Sequence, residues 1–401
     1  MKHLRYSLLW LLMIMLLSNC GGDDGIKNLP TKIDINDDDD DHTTATIDDS
    51  YTYKLPVIFH VLYQDPNDEK QYVSANRLKE ILKNVNDLYA GNIYGTSQRV
   101  NVNFIMATTD EQGNRLATPG VDYVEWKGTY PIDAYSFMGD NTGNMVRYIW
   151  EPTEYINVMV YNFAATDDSE ITTLGISHMP FSTEGSHALA GLETVTYTTL
   201  TKRNLRFPYC SSINSLYIDS ESDRYTREDH GEHGYTYSSS DVNVTVAHEL
   251  GHYLGLYHMF SERDGKSVDE CLDSDHCEDT PSYNRVAYLQ YLTDYLEEHE
   301  RNGSALSLSD LTKRTPCEGD IFYSANMMDY MVGLGYKLSA DQKGRIRHVL
   351  YYSPLMPGPR KTDEAESRAK ATTPALTPDG PVDLPIRMSV CRQRLLQTTI
   401  K

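Results

Sequence analysis

Apolar positions change period several times along the chain, and each change marks an element. Residues 54–63, KLPVIFHVLY, form a near-continuous apolar run rich in β-branched and aromatic side chains, which predicts a buried strand. From Ser74 to Tyr89 the period lengthens. Leu78, Ile81, Leu82, Val85 and Leu88 recur three and four apart, predicting a helix with one buried face and Ser74 as its N-cap. Between Arg99 and Ala107, alternating Val100, Val102, Phe104 and Met106 predict a half-buried strand, and residues 155–163, YINVMVYNF, predict another. Residues 174–181, LGISHMPF, read as an edge strand. A further helix is predicted to start at Asp241, a good N-cap, and to run to about Leu254. Val286, Leu289, Leu292, Tyr295 and Leu296 predict a helix over 284–300, and Ser339 with Gln342 resembles a capping box opening a last helix to about Tyr352. Residues 354–381, rich in Pro, Thr and Ala, read as a wrapping or loose linker, and 382–391 as a short added strand. Strand, helix, strands and then further helices define an α/β (α+β) chain without internal repeats.

The first 20 residues stand outside this pattern. A basic start (Lys2, His3, Arg5) leads into the apolar run Leu8–Leu17, too short to span a bilayer as a mature helix and suited to a signal peptide. It ends in Leu17-Ser18-Asn19-Cys20-Gly21, which resembles a bacterial lipobox in which Cys20 is lipidated. Residues 21–50, with the acidic run Asp37–Asp41, have almost nothing to bury and read as a disordered tether. Residues 51–356 are long enough for one domain of two lobes divided near residue 258, and 357–401 form a C-terminal extension. A net charge of −22 argues against a nucleic-acid partner, because phosphate binding needs a basic face. Apart from Cys20 there are five cysteines, at 210, 271, 277, 317 and 391; an exported chain permits disulfides, and an odd number leaves at least one thiol free or paired between chains. The Asp-, Glu-, His- and Ser-rich stretch 219–241 reads as a solvated loop, with Ca²⁺ held by its carboxylates as the alternative.

The chemistry concentrates in residues 248–258, HELGHYLGLYH. His248 and His252 are four apart, so on a helix they share one face and can bind one Zn²⁺. Gly255 lets the chain turn sharply after the helix and bring His258 to the same ion. Three imidazoles leave a fourth position open, as a catalytic zinc requires, and Glu249 is placed to take a proton from water there. Gly251, unfavourable inside a helix, points to close packing beneath the metal. A chance match to five fixed positions has odds on the order of 1 in 10,000 or less.

H-E-x-x-H-x-x-G-x-x-H resembles the signature of the metzincin metallopeptidases, and Asn326-Met327-Met328-Asp329-Tyr330 resembles the Met-turn of their pappalysin-like branch. The opening strand, Asp279-Thr280-Pro281 and the late helix resemble that branch too; with the lipobox, the chain is similar to the zinc-dependent metalloproteinase lipoproteins of Bacteroidetes. The resemblance implies a metzincin-type fold, with a twisted mixed sheet and zinc helix in an upper lobe above a smaller irregular, helical lower lobe. It makes Met328 the floor beneath the zinc ligands and Tyr330 a support for the oxyanion. It also implies a Cys271–Cys317 disulfide, leaving Cys277 to pair with Cys210. The expected function is a zinc-dependent endopeptidase acting on extracellular or periplasmic proteins, with an extended substrate paired to the edge strand at 174–181. The expected form is a monomer on the bacterial outer membrane, lipid-anchored and surface-exposed. The alternative is a catalytically silent surface binding lipoprotein that keeps the peptidase fold.

Overall fold

The computed structural model describes residues 47–93, 97–165, 171–223, 235–330, 332–361 and 377–400. Cys20, the signal segment and all but the last residues of the tether lie outside them, as does most of the Asp/Glu-rich stretch after residue 223.

Strand β1 (Tyr53–Tyr63) is the axis of the sheet. Its first half pairs in parallel with β2 (Val102–Met106), and its second half with β3 (Val121–Glu125). Along its other side runs β4 (Ile156–Tyr161), also parallel. Strands paired this way are buried, which is why both β1 and β4 read as near-unbroken apolar runs. Helix α1 (Ala75–Tyr89) is capped by Ser74, whose Oγ accepts from Arg77 N at 3.3 Å, and it buries the predicted apolar stripe. A short α2 (Ala134–Met138) precedes β4.

Strand β5 (Ile171–His178) follows, then a small parallel ladder of β6 (Ser182–Thr183) and β7 (Thr194–Val195). Next comes β8 (Ser211–Asn214), which lies parallel to β4 and antiparallel to β5. After β9 (Tyr235–Ser238) comes α3 (Val242–Tyr253), of which all but Val244 is buried. The Asp241 carboxylate caps α3 by accepting from Asn243 N and Val244 N. Beyond α3 the structure is mostly loop and helix. The ladder β10 (Glu262–Arg263) with β11 (Lys266–Ser267) leads to α4 (Arg285–Asn302) and α5 (Leu308–Thr312). The ladder β12 (Lys313–Arg314) with β13 (Phe322–Tyr323) then precedes α6 (Ala340–Tyr352). The Ser339–Gln342 capping box opens α6 as predicted, and Asp279 Oδ2 adds bonds to Ala340 N and Asp341 N.

Two apolar clusters divide the interior. The larger joins the sheet to α1, α3 and α6. The smaller gathers Phe260, Tyr283, Tyr288, Leu292, Leu311 and Val332 from the part after His258, together with Leu174, Tyr237 and Cys391.

One expectation is corrected. The strand read at 174–181 begins at Ile171 and is not an edge. The C-terminal extension supplies β14 (Met388–Arg394), which pairs antiparallel with β5 along its length. The sheet order is therefore β14-β5-β8-β4-β1-β2, with β3 also on β1. An edge strand presents unpaired N–H and C=O groups, and here the chain's own terminus takes them. A last strand, β15 (Gln397–Ile400), pairs antiparallel with β9.

Candidate active site

α3 ends at the C-cap Leu254, and Gly255 adopts φ +91, where an added Cβ would also lie 2.7 Å from Val349 Cγ2. Leu256 N donates back to Gly251 O at 2.9 Å, so the last turn is satisfied as the chain reverses. That reversal brings His258 beside the two helical histidines. His252 Nε2 lies 2.9 Å from His248 Nε2 and 3.0 Å from His258 Nε2. The opposite ring nitrogens of the two helical histidines are held. His248 Nδ1 bonds Met327 O at 2.7 Å, and His252 Nδ1 bonds Leu256 O at 2.8 Å. A carbonyl only accepts, so each Nδ1 carries the proton and each Nε2 turns a lone pair to the centre. His258 Nδ1 lies 2.9 Å from Glu262 Oε2 without hydrogen-bond alignment, a close contact on the side of the ring away from the other histidines. Three lone pairs aimed at one point repel unless a cation lies between them, and atoms about 2 Å from a common centre sit roughly this far apart. The donor set therefore fits Zn²⁺. Burial, then the neighbouring imidazoles, push His248 down to about 3 and His252 well below the usual histidine range, so both rings are neutral. Among the described residues the other convergent group of potential ligands shares this site: His248, Glu249 and Cys391.

Glu249 is fully buried. Its Oε2 accepts from Ser177 Oγ on β5 at 2.7 Å, and its Oε1 has no partner among the described residues. Burial pushes its carboxyl up to about 8, against the lowering effect of Ser177. Gly175, also on β5, makes room for it: a Cβ there would lie 2.5 Å from both Glu249 Cγ and Oε1. Met328 lies beneath α3, its Sδ 2.6 Å from where a Cβ on Gly251 would be, which accounts for a glycine in mid-helix. The turn is fixed by Asn326, whose Oδ1 accepts from Met328 N at 2.8 Å and whose amide pairs with Gln342 on α6. The Tyr330 ring is 4.5 Å from that of His258 and 5.5 Å from that of His248, and its hydroxyl donates to Val390 O on β14.

Cys271 and Cys317 are bonded, with Cα atoms 5.5 Å apart. Cys210 and Cys277 do not pair; both are free and buried, Cys210 against Met138 Sδ and Cys277 in the turn capped by Asp275. Cys391 is free and buried as well. Sequence reasoning missed Gly175, Ser177, Glu262 and Cys391 as parts of the site. For Cys391 the one available signal was the odd cysteine count.

A helix carrying two histidines, a glycine turn to a third and a methionine turn beneath them have the arrangement expected of a metzincin-type metallopeptidase. A peptidase family model described as pregnancy-associated plasma protein-A matches residues 228–351, the segment that holds the three histidines, Glu249 and the methionine turn. Two curated relatives, extracellular metalloproteases of Arthroderma benhamiae and Trichophyton verrucosum, are each 46% identical over 41 residues. Those matches cover 10% of this chain and 13% of each relative. Among solved structures, mature mirolysin of Tannerella forsythia in complex with a cleaved peptide overlaps 75% of this chain and 92% of its own, at 18% identity and a TM-score of 0.45. A promirolysin mutant from the same organism overlaps 75% and 81%, at 17% identity and 0.45. Overlap at this level bears on neither activity nor substrate.

Proposed function

We propose that the chain is a zinc-dependent endopeptidase cutting proteins outside the cell. The observation that carries this reading is the convergence of His248, His252 and His258 Nε2 on one point beside Glu249. Bound there, Zn²⁺ would activate a water for attack and polarise the scissile carbonyl. Glu249 is the base: its unpartnered Oε1 takes the proton from that water and passes it to the leaving amine. Ser177 holds Oε2, so the carboxylate keeps one orientation through the cycle. Tyr330, packed edge-on to His258 and tilted against His248, is the donor to negative charge developing on the carbonyl oxygen. Met328 supports α3 from below.

The names of the two fungal relatives favour an extracellular place of action. We read Cys20 as the lipid attachment site and residues 21–50 as the tether that holds a monomer to the surface of a bacterial outer membrane. The test is zinc content with cleavage of casein and a peptide library, with and without a chelator, beside Glu249→Ala. One zinc per chain, and cleavage lost both on chelation and in the variant, supports the reading. Cleavage that survives either treatment overturns it, as does failure to take up zinc.

A further inference from the structure

Of the three histidines, His258 alone lies off α3, and its Nδ1 has no aligned hydrogen bond to fix the ring. Its place therefore depends on the backbone that carries it out of the helix. The support comes from α6. Arg345 is 5% exposed, and its guanidinium reaches the chain reversal. Its Nε and Nη2 both donate to Gly255 O at 3.2 Å, and Nη2 also donates to Ala190 O at 3.0 Å. The last carbonyls of a helix lack donors of their own and favour a cation nearby. One turn further along α6, Val349 Cγ2 fills the space that a side chain on Gly255 would need. The same guanidinium lies 5.6 Å from the centre of the Tyr257 ring, whose hydroxyl donates to Gly191 O. Gly255 and Tyr257, on the path into His258, are thus tied to Arg345 and to the connection between β6 and β7. Among the described residues the hydrogen bonds of Arg345 go to carbonyls alone. A buried guanidinium on such terms is a costly way merely to fasten a helix.

We infer that Arg345 is a positioning residue for the third zinc ligand, holding residues 255–257 so that His258 Nε2 meets the other two imidazoles. The inference rests on the zinc reading above and adds to it how the site is assembled. α6 then supports the site from two directions: Gln342 fixes Asn326 of the methionine turn, and Arg345, one turn on, fixes the glycine turn. Arg347 shows what an arginine of purely structural role does on the same helix. It is 3% exposed, and it donates from Nη1 to Tyr51 O at 2.8 Å and from Nη2 to Asp48 O at 2.9 Å. Its remaining bonds run to Asn101 and Tyr351, and among the described residues none reaches 255–258. The two side chains match in type, burial and helix, and differ in what they hold.

The test is the zinc affinity of the full chain, read by competition with a chromophoric chelator, beside urea midpoints of the zinc-free forms. Arg345→Met should bind zinc about 10–100-fold more weakly, as loss of a group that orients a ligand does. Arg345→Lys keeps one donor for Gly255 O and should recover part of that loss. Arg347→Met should lower the urea midpoint and leave zinc affinity unchanged. In a His258→Ala background Arg345→Met should add little, the remainder coming from Leu256 O, which holds His252 Nδ1. If Arg345→Met does not fold, Arg345→Lys against Arg347→Lys carries the same comparison. Equal zinc affinity in the Arg345 and Arg347 variants overturns the inference and leaves the peptidase reading intact. So does an equal loss from Arg345→Met with and without His258. An unaltered chain that takes up no zinc overturns both.

Discussion

Two buried carboxylates, Asp329 and Glu249, differ in how completely they are met. Asp329 Oδ1 accepts from Tyr283 Oη at 2.5 Å and from Tyr330 N at 2.7 Å. Its Oδ2 accepts from Ser324 Oγ at 2.5 Å and lies 3.3 Å from Arg314 Nη2, with both side chains of the ion pair fully buried. Glu249 has one oxygen bonded to Ser177 and the other to nothing among the described residues. A fully met charge is a fastener, whose loss leaves Arg314 stranded. A half-met charge is costly to keep and chemically available, which is what a base requires.

The contrast can be broken from either side. Glu249→Gln should lower peptide turnover by about 10²–10⁴-fold. Its urea midpoint should stay close to that of the unaltered chain, because burial already favours the neutral carboxyl that the amide replaces. Asp329→Ala should cost about 3–5 kcal/mol in the same urea titration, through the uncompensated Arg314. Equal stability losses in the two variants would erase the distinction. Gly251→Ala places a methyl against Met328 Sδ and should cost about 1–3 kcal/mol, with part recovered in Gly251→Ala/Met328→Ala. Additive losses would mean the two residues do not meet.

A pH-dependent effect belongs to another buried group on β5. His178 donates from Nε2 to Met138 O at 3.1 Å and accepts from Cys210 N at 3.3 Å, so it is fully met as a neutral ring. Burial pushes it down to about 4. A depressed folded value gives stability present above the unfolded value near 6.5 and lost as pH falls from there towards 4. The loss is on the order of 3 kcal/mol. Urea unfolding at pH 7 and pH 4.5 should show a smaller difference in His178→Gln than in the unaltered chain.

What was legible in the sequence was local. The Asp241 cap, the paired histidines, the Gly255 turn and His258 fall within eighteen residues, and each follows from helix geometry or a glycine's freedom. Ser74 and the Ser339–Gln342 box were readable for the same reason. What was missed is assembled across the chain. Ser177 and Gly175 meet Glu249 from a strand some seventy residues earlier, with no spacing to mark them. Residues 174–181 looked like an edge because pairing is not written in a strand's own pattern, and its partner, MSVCRQR, alternates too weakly to announce itself. The Cys210–Cys277 pair failed on the same ground: two buried thiols look alike in sequence, and only the fold assigns each a neighbour.

Gly175 carries a consequence of its own. A glycine within a strand brings no side-chain packing and loosens the backbone, yet any larger residue there would collide with Glu249. The sheet is thus thinnest directly over the carboxylate. A strand laid against β5 at that point finds no side chain on Gly175 to pack against, so its register there is set by main-chain pairing and by contacts to either side.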